Sequence, residues 1–330
     1  MSAMYPWLVA DIGGTNARFG TVSGPGAAVE DVRVLPVAAH AGPAAAVRAY
    51  LADAEPGRTA PRSAAFALAT ALGGDRIELT NGAWGFSRAA TQDELGLQTL
   101  LCLNDFEAQA LSLPRLGAHQ LRAWGAPPPP VGAVATGTVL AVIGPGTGLG
   151  VGGVVRAPGR WIALPGEGGH ATLAPADDFE SAVLSQARRE FPHVSAERFL
   201  SGIGLPVLCS AVAAVLGQGE DVGALPTERI VALGLSGESP ACARTLDVFC
   251  AMLGGFAGNV ALTLGARGGV FIGGGIVPRL GERFFRSEFR SRFEAKGRFQ
   301  PFLAGIPTAL ITDTLAALSG AAQALEQADA

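Results

Sequence analysis

The feature that most restricts this chain is one pattern used twice. Trp7-Leu-Val-Ala10 is an apolar run that ends in Asp11-Ile-Gly-Gly-Thr-Asn-Ala-Arg18, and Phe19-Gly-Thr-Val22 reads as a returning strand. Thr138-Val-Leu-Ala-Val-Ile143 is a second such run. It turns at Gly144-Pro-Gly-Thr-Gly-Leu-Gly150 and returns as Val151 to Arg156. Strand, glycine turn, strand is a hairpin, not the strand-to-helix turn of a nucleotide-binding βαβ unit. One copy in each half predicts two related domains facing each other. A length of 330 residues, more than one hydrophobic core usually serves, agrees.

Between and after the copies the pattern alternates. Residues 42–54 have helical spacing, Ser63 to Leu72 reads as a buried strand, and Arg76 to Thr80 as a short strand leading to Asn81-Gly82. Leu100 to Leu103 is a strand that ends at Asn104-Asp105, where a helical stretch, Phe106 to Leu113, begins. Four prolines, Pro127 to Pro130, signal a linker or domain edge. Helices are expected at 177–191, 195–200, 205–217, about 226–235 and 240–264. Gly269-Val-Phe-Ile272 is a buried strand running into Gly273-Gly-Gly275. A polar, arginine-rich stretch separates it from a last strand, Thr308 to Ile311, and a closing helix, Thr314 to Glu326. The class is α/β.

Composition removes several chemistries. Hydrophobic residues at 49% exclude disorder. A net charge of -4 argues against a nucleic-acid partner. No apolar run is expected to approach the roughly 18 residues that cross a bilayer, and no signal peptide is visible, so a cytoplasmic location is the default. Lysine occurs once, as Lys296, followed by Gly297-Arg298. That is not the Gly-Lys-Ser/Thr of a Walker loop, and no early strand lysine serves a protein-kinase fold. Lys296 is also the lone Schiff-base candidate, in a stretch that reads as solvated. Cys102, Cys209, Cys242 and Cys250 lack zinc spacing and read as buried small hydrophobes. No Gly-x-Ser-x-Gly elbow is present. Gly148-x-Gly150-x-x-Gly153 matches a dinucleotide fingerprint, but a strand follows where the fingerprint needs a helix.

What remains is glycine. Three glycine loops, at 13–14, 144–150 and 273–275, follow apolar strands. Glycine lets backbone amides approach a phosphate with no Cβ in the way, and amides supply the donors that a chain with one lysine lacks. Asp11, beside the first loop, can hold Mg²⁺ directly or through water, and Thr15 can donate to a phosphate oxygen. In isolation Asp105 reads as a helix N-cap, with Asn104 a second polar group at the same strand end, where open α/β sheets place ligands. Leu164-Pro-Gly-Glu-Gly-Gly-His170 sets a carboxylate and an imidazole in a glycine-rich loop, which suits a polyhydroxyl ligand. Ser195-Ala-Glu197-Arg198 reads as a helix start.

With these segments assembled, the chain resembles the bacterial glucokinases of the hexokinase–actin-like ATPase superfamily. The resemblance runs in order over nearly the whole length. Asp11 to Arg18 and Gly144 to Gly150 are similar to its phosphate motifs, and Leu103-Asn-Asp-Phe-Glu-Ala108 to its catalytic segment. Leu164 to His170 and Glu197-Arg-x-Leu-Ser-Gly202 are similar to its sugar segments, and Gly269 to Arg279 to its adenosine segment. The resemblance implies a two-domain actin-like (ribonuclease-H-like) α/β fold with an inter-domain active-site cleft. The small domain would hold residues 1–116 plus 312–330 and the large one 117–311.

It also implies phosphorylation of glucose by ATP at the 6-hydroxyl, with Asp105 as general base and Asn104, Glu167, His170 and Glu197 as hydroxyl ligands. Asp11, Gly13, Gly14, Thr15, Asn16, Gly146, Thr147, Gly148, Gly274 and Gly275 would bind the nucleotide, Asp11 would hold Mg²⁺, and the protein would be a homodimer. Pro145, Gly273 and Leu173 depart from residues common at those positions. Nothing like the zinc motif of the related repressor–kinase group follows His170. Alternatives are a kinase for another hexose (N-acetylmannosamine or fructose), a non-catalytic sugar-sensing protein, or an actin-like filament former.

Overall fold

Two sheets organise the chain, and their strand order is the same. The structure, a computed structural model, describes residues 5–53, 59–70, 72–80, 82–125, 127–129, 133–218 and 225–329. The first sheet is built from β1 (Trp7–Ile12), β2 (Asn16–Val22), β3 (Val29–Pro36), β4 (Ser63–Leu68) and β7 (Thr99–Asn104), in the order β3-β2-β1-β4-β7. The β1–β2–β3 part is an antiparallel meander, whereas β4 and β7 add in parallel. The second sheet contains β8 (Leu121–Trp124), β9 (Val139–Pro145), β10 (Leu149–Ala157), β11 (Arg160–Leu164), β12 (Gly269–Ile272) and β13 (Thr308–Ile311). Its order is β11-β10-β9-β12-β13-β8. Without the extra edge strand β8, both sheets run third, second, first, fourth, fifth. The duplication seen in the sequence is therefore a duplication of topology. A small hairpin, β5 (Arg76–Glu78) with β6 (Gly85–Ser87), stands apart. Asn81 and Pro130 lie outside the described residues.

Contacts divide the chain into two units. One comprises residues 1–117, 154–165 and 313–330; the other comprises 118–153 and 166–312. Residues 154–165, expected with 117–311, thus group with the first unit. The prolines at 127–129 join β8 to β9 inside the second unit and mark no domain edge.

In the first unit α1 (Pro43–Ala52) and α2 (Arg88–Glu94) pack with α3 (Asp105–Ser112) and α12 (Ala316–Asp329) around two cores, one centred on Leu8, Phe19 and Phe66 and the other on Trp7, Val9 and Leu318. The α12–α3 crossing is close: a Cβ on Gly320 would fall 1.6 Å from the Ala108 carbonyl oxygen. Only glycine allows this approach, which fixes the helix that begins with Asp105.

The second unit packs α4 (Asp178–Ala187), α5 (Leu205–Val215), α6 (Thr227–Ser236) and α7 (Pro240–Leu264) into one large apolar core. Cys209, Cys242 and Cys250 are buried there, and burial pushes the Cys209 and Cys250 thiols up to about 12. Contrary to expectation, α7 is long and apolar enough to cross a membrane, with a mean hydropathy of 1.5 over its best window. Yet 78% of that window is buried within the protein, as in a core helix. The arginine-rich stretch also departs from the reading: it folds as α8 (Ile276–Leu280), α9 (Glu282–Phe285), α10 (Phe289–Glu294) and α11 (Gln300–Ala304). Lys296 is half-buried rather than fully solvated. Its Nζ donates to Gly255 O (2.8 Å) and Asn259 Oδ1 (2.7 Å) on α7, and burial lowers its pKa.

Candidate functional site

In the first unit, three parallel strands end together. Ile12 of β1 is in register with Leu68 of β4, and Leu68 with Asn104 of β7. Every candidate residue of this unit lies at that end. The glycine turn after β1 is closed by Gly13 N donating to Asn16 O (3.0 Å) and held to the neighbouring strand end by Ala69 N donating to Ile12 O (3.1 Å). Thr15 and Asn16 are exposed. Gly82 approaches this turn so closely that a Cβ on it would lie 3.2 Å from Gly14 Cα. Asp11 faces Arg18 across the β1–β2 pair, with Arg18 Nη1 3.1 Å from Asp11 Oδ2. Burial raises the Asp11 pKa, and the Arg18 guanidinium opposes the rise.

At the β7 end the capping role falls to Asn104, not Asp105. Asn104 Oδ1 accepts from Phe106 N (2.9 Å) and Glu107 N (3.3 Å), and its Nδ2 donates to Thr70 O (3.1 Å). The Glu107 carboxylate accepts the Asn104 backbone N–H in return, completing a capping box. Burial raises the Glu107 pKa and this bond opposes it. Asp105 is therefore the first residue inside α3, and its Oδ1 also accepts from Phe106 N (2.9 Å). Glu107 and Thr70 are supports the sequence reading did not name; the Asn-x-x-Glu spacing was the available signal for the former.

In the second unit the two remaining glycine loops meet. Gly273 N donates to Ile143 O (2.8 Å), bringing the end of β12 onto the end of β9. Gly274 is left-handed (φ 75°), and a Cβ there would lie 2.4 Å from Pro145 O. Gly146 N donates to Gly148 O (2.9 Å), tightening the loop that carries Thr147. Gly275 caps α8. Of the three departures, Pro145 thus lines the loop contact, Gly273 makes a strand-end hydrogen bond, and Leu173 is buried in the core.

The sugar-like segments sit on the same loops. Gly168 to His170 form a single 3-10 turn, with His170 N donating to Glu167 O (3.0 Å). Gly169 lies so close to β10 that a Cβ would fall 1.9 Å from Leu149 O. Residues 195–200, expected as a helix, form a bridge and turns instead. Ser195 pairs with Thr172, and Glu197 N donates to Gly169 O (2.8 Å), so hydrogen bonding is directed to the neighbouring segment. This brings Glu197 Oε1 to 3.9 Å from His170 Nδ1. Glu167 and His170 are exposed and Glu197 is half-buried. Glu197 Oε2 accepts from Leu149 N (2.9 Å).

The structure thus gathers Asp11, Gly13 to Asn16, Asn104 and Asp105 in one unit. Gly146 to Gly148, Glu167, His170, Glu197 and Gly274-Gly275 gather in the other. The first group offers two carboxylates, one of them at a helix start, beside an exposed glycine turn. The second offers two carboxylates and an imidazole beside amide-lined loops. Among the described residues no group of three or more His, Cys, Asp or Glu side chains could hold a metal. A single carboxylate, Asp11, fits an Mg²⁺ ion that arrives on a nucleotide and keeps water and phosphate oxygens as its other ligands, and does not fit a resident protein cage.

The family model described as Glucokinase matches residues 8–328. The chain is 49% identical over 324 residues to a glucokinase of Neisseria meningitidis serogroup C, covering 98% of this chain and 96% of that one. It is 51% identical over 316 residues to a glucokinase of Paramagnetospirillum magneticum, covering 96% of each. The crystal structure of a glucokinase from an Antarctic psychrotroph superposes with a TM-score of 0.89 at 36% identity, covering 98% of this chain and 99% of that one.

Proposed function

Because the chain belongs to the glucokinase family, we propose that it transfers the terminal phosphoryl group of ATP to the 6-hydroxyl of glucose, giving glucose 6-phosphate and ADP. The observation that carries the reading is the shared end of β1, β4 and β7, where the exposed glycine turn after β1 and Asp105 after β7 stand on either side of β4. The relatives, named as glucokinases, do not favour another hexose or a non-catalytic sensor.

Phosphoryl transfer asks for alignment and charge neutralisation. The amides of 14–16, 147–148 and 274–275 supply donors to the phosphates, with the Gly13 and Gly146 amides closing their turns, as three glycine loops must where one lysine is present and is tied to α7. Asp11 would hold Mg²⁺ on the nucleotide, where the ion neutralises phosphate charge. Glu167, His170 and Glu197 offer acceptors and a donor to sugar hydroxyls. Asn104 contributes through its remaining amide proton, since its carbonyl oxygen already caps α3. Asp105 accepts the 6-hydroxyl proton as the oxygen attacks. The same proposal includes a homodimer, checked by light scattering, and a cytoplasmic location, where ATP is available.

Asp105→Asn tests the reaction. It keeps the side chain's shape and its acceptor toward Phe106 N while removing the base. Turnover should fall by about 10²–10⁴-fold with the glucose KM changed only a few-fold. Near-normal turnover removes Asp105 from the role.

A further inference from the structure

Glu197 is placed to do more than hold a sugar hydroxyl. Its carboxylate is shared between two segments: Oε1 faces His170 at 3.9 Å, and Oε2 accepts the Leu149 N–H at 2.9 Å inside the second glycine loop. The packing is specific to glycine, because a Cβ on Gly148 would stand 2.5 Å from Oε2. The segment carrying Glu197 is itself fastened to that loop. Gly202 N donates to Gly146 O (2.7 Å) and Ile203 N to Thr147 O (3.2 Å). The fully buried hydroxyl of Ser201 donates to Glu197 O (2.7 Å) and accepts from Gly204 N (3.0 Å), which fixes the turn. On the other side Glu197 N holds Gly169 O, next to His170.

We propose that Glu197 is a positioning residue for the second phosphate loop, and that its carboxylate couples monosaccharide occupancy to nucleotide affinity. The inference rests on the sugar and nucleotide roles proposed above. A hydroxyl bound at Oε1 restrains the carboxylate, and a restrained carboxylate keeps Oε2 on the Leu149 amide. The loop then presents its amides to phosphate in one arrangement. By reciprocity, phosphate on the loop strengthens sugar binding by the same factor. A carboxylate that was only a sugar ligand would not need the Leu149 bond. A carboxylate that was only a loop brace would not need to face His170. Glutamine serves both sides less well: its oxygen can keep the Leu149 amide, but it then meets the hydroxyl only as a neutral donor, without the charged acceptor that ties the two contacts together.

The test combines two readouts on the full chain. The first is exchange of the Leu149 amide in the ligand-free protein, measured by NMR. The second is ADP affinity, measured by titration calorimetry with and without saturating glucose. In the wild type, glucose should tighten ADP about fivefold or more, and the Leu149 amide should be protected. In Glu197→Gln the glucose effect should fall below about twofold. In Glu197→Ala, Leu149 exchange should rise about tenfold or more, reflecting loss of a bond to a charged acceptor. Gly148→Ala, which displaces the carboxylate without altering it, should raise Leu149 exchange in the same way. Weakened glucose binding in the Glu197 variants, with Leu149 exchange and the glucose–ADP coupling unchanged, overturns the proposal. A wild-type protein that binds glucose and ADP with no mutual effect also overturns it while leaving the proposed reaction standing. One that binds neither ligand sinks the reaction, and the coupling with it.

Discussion

Gly274→Ala puts the contact between the two glycine loops of the second unit to a quantitative test. Two costs are visible in the structure. The residue sits at φ 75°, where an L side chain costs about 1–2 kcal/mol. Its new Cβ would also meet the Pro145 carbonyl oxygen at 2.4 Å and the Gly144 carbonyl carbon at 3.0 Å, both backbone atoms that cannot swing aside. Overpacking of that kind typically costs about 1–3 kcal/mol. The sum is about 2–5 kcal/mol if the loops hold their places. If they yield instead, the strain is relieved by moving the amides at 144–148 and 273–275. In a unit of about 180 residues each kcal/mol lowers Tm by about 2–4 °C.

The assay is a thermal scan of each variant, read beside glucose and ADP affinities. The wild type is the reference and Gly146→Ala the control, since a Cβ on Gly146 meets nothing within 4 Å. Gly274→Ala should lose about 4–20 °C, or weaken ADP by tenfold or more while glucose affinity stays within a few-fold. Gly146→Ala should stay within about 1 kcal/mol of the wild-type stability. A Gly274→Ala protein with wild-type Tm and wild-type ADP affinity refutes the reasoning, because strain would then have gone neither into the fold nor into the loops.

Two carboxylates predict pH dependences of opposite sign. Asp177 caps α4 by accepting Glu180 N (2.8 Å) and pairs with Arg292 (2.9 Å). Its burial raises the pKa, but the Glu180 N–H and the arginines outweigh that and bring it below the ordinary 3.8. The folded state therefore releases this proton more readily, so its stabilisation is present above about pH 4 and disappears as pH falls. Asp177→Asn, which preserves the cap, should lower Tm at pH 7, and the gap to the wild type should narrow as pH falls below about 4; an equal Tm gap at pH 7 and pH 3 contradicts it. Glu107 is shifted the other way by burial, from 4.5 upward. Its protonated form is favoured by folding, so its contribution is largest below about 4.5 and is lost as pH rises through the folded value. Glu107→Gln keeps the capping box and should raise Tm at pH 7 while matching the wild type near pH 4; a variant less stable at neutral pH would show that the charged carboxylate is needed there.

Much of the site was legible because glycine and apolar strands leave sharp marks. The buried strands β4, β9, β12 and β13 are nearly continuous apolar runs, β1 is interrupted only by Asp11, and β1, β9 and β12 run into glycine turns. β3 left no such mark. It is an edge strand whose Glu30, Asp31 and Val34 are exposed, so hydrophobic patterning fades. Helices α8 to α11 were invisible because each spans only four to six residues and Pro278, Gly281, Gly297 and Pro301 break any 3.6-residue period. The turn at Glu197 was misread because Ser195 does act as a local cap, accepting from Arg198 N (3.2 Å). What diverts the chain from a helix is pairing with residues 169–172, a partner that local spacing does not reveal. The burial of Lys296 depends on Gly255 and Gly258 of α7: a Cβ on Gly258 would lie 2.6 Å from the lysine Cε, so a notch some 40 residues away decides the matter.

The two sheets share more than strand order. In each unit the backbone N–H just past the fourth strand of the order donates to the last apolar residue of the first: Ala69 N to Ile12 O at 3.1 Å, and Gly273 N to Ile143 O at 2.8 Å. The same hydrogen bond therefore props open the same glycine turn twice. Beyond it the copies differ. In the first unit the fifth strand, β7, ends in the Asn104–Glu107 capping box and begins α3 with Asp105. In the second the corresponding strand, β13, ends at Ile311 with Thr312 N bonded to Gln120 O, and the acid that follows, Asp313, accepts from Leu315 N (2.8 Å). In the second sheet the return from the hairpin instead runs on through β11 into the Glu167–His170 turn. On the proposed function the two copies of the turn take different parts, one lying at the strand end that carries Asp105 and the other beside Glu167 and His170. That asymmetry also explains why glycine, and not lysine, was the informative residue: the turn is the part both copies kept, and backbone amides are the part of the turn that no side-chain substitution could erase.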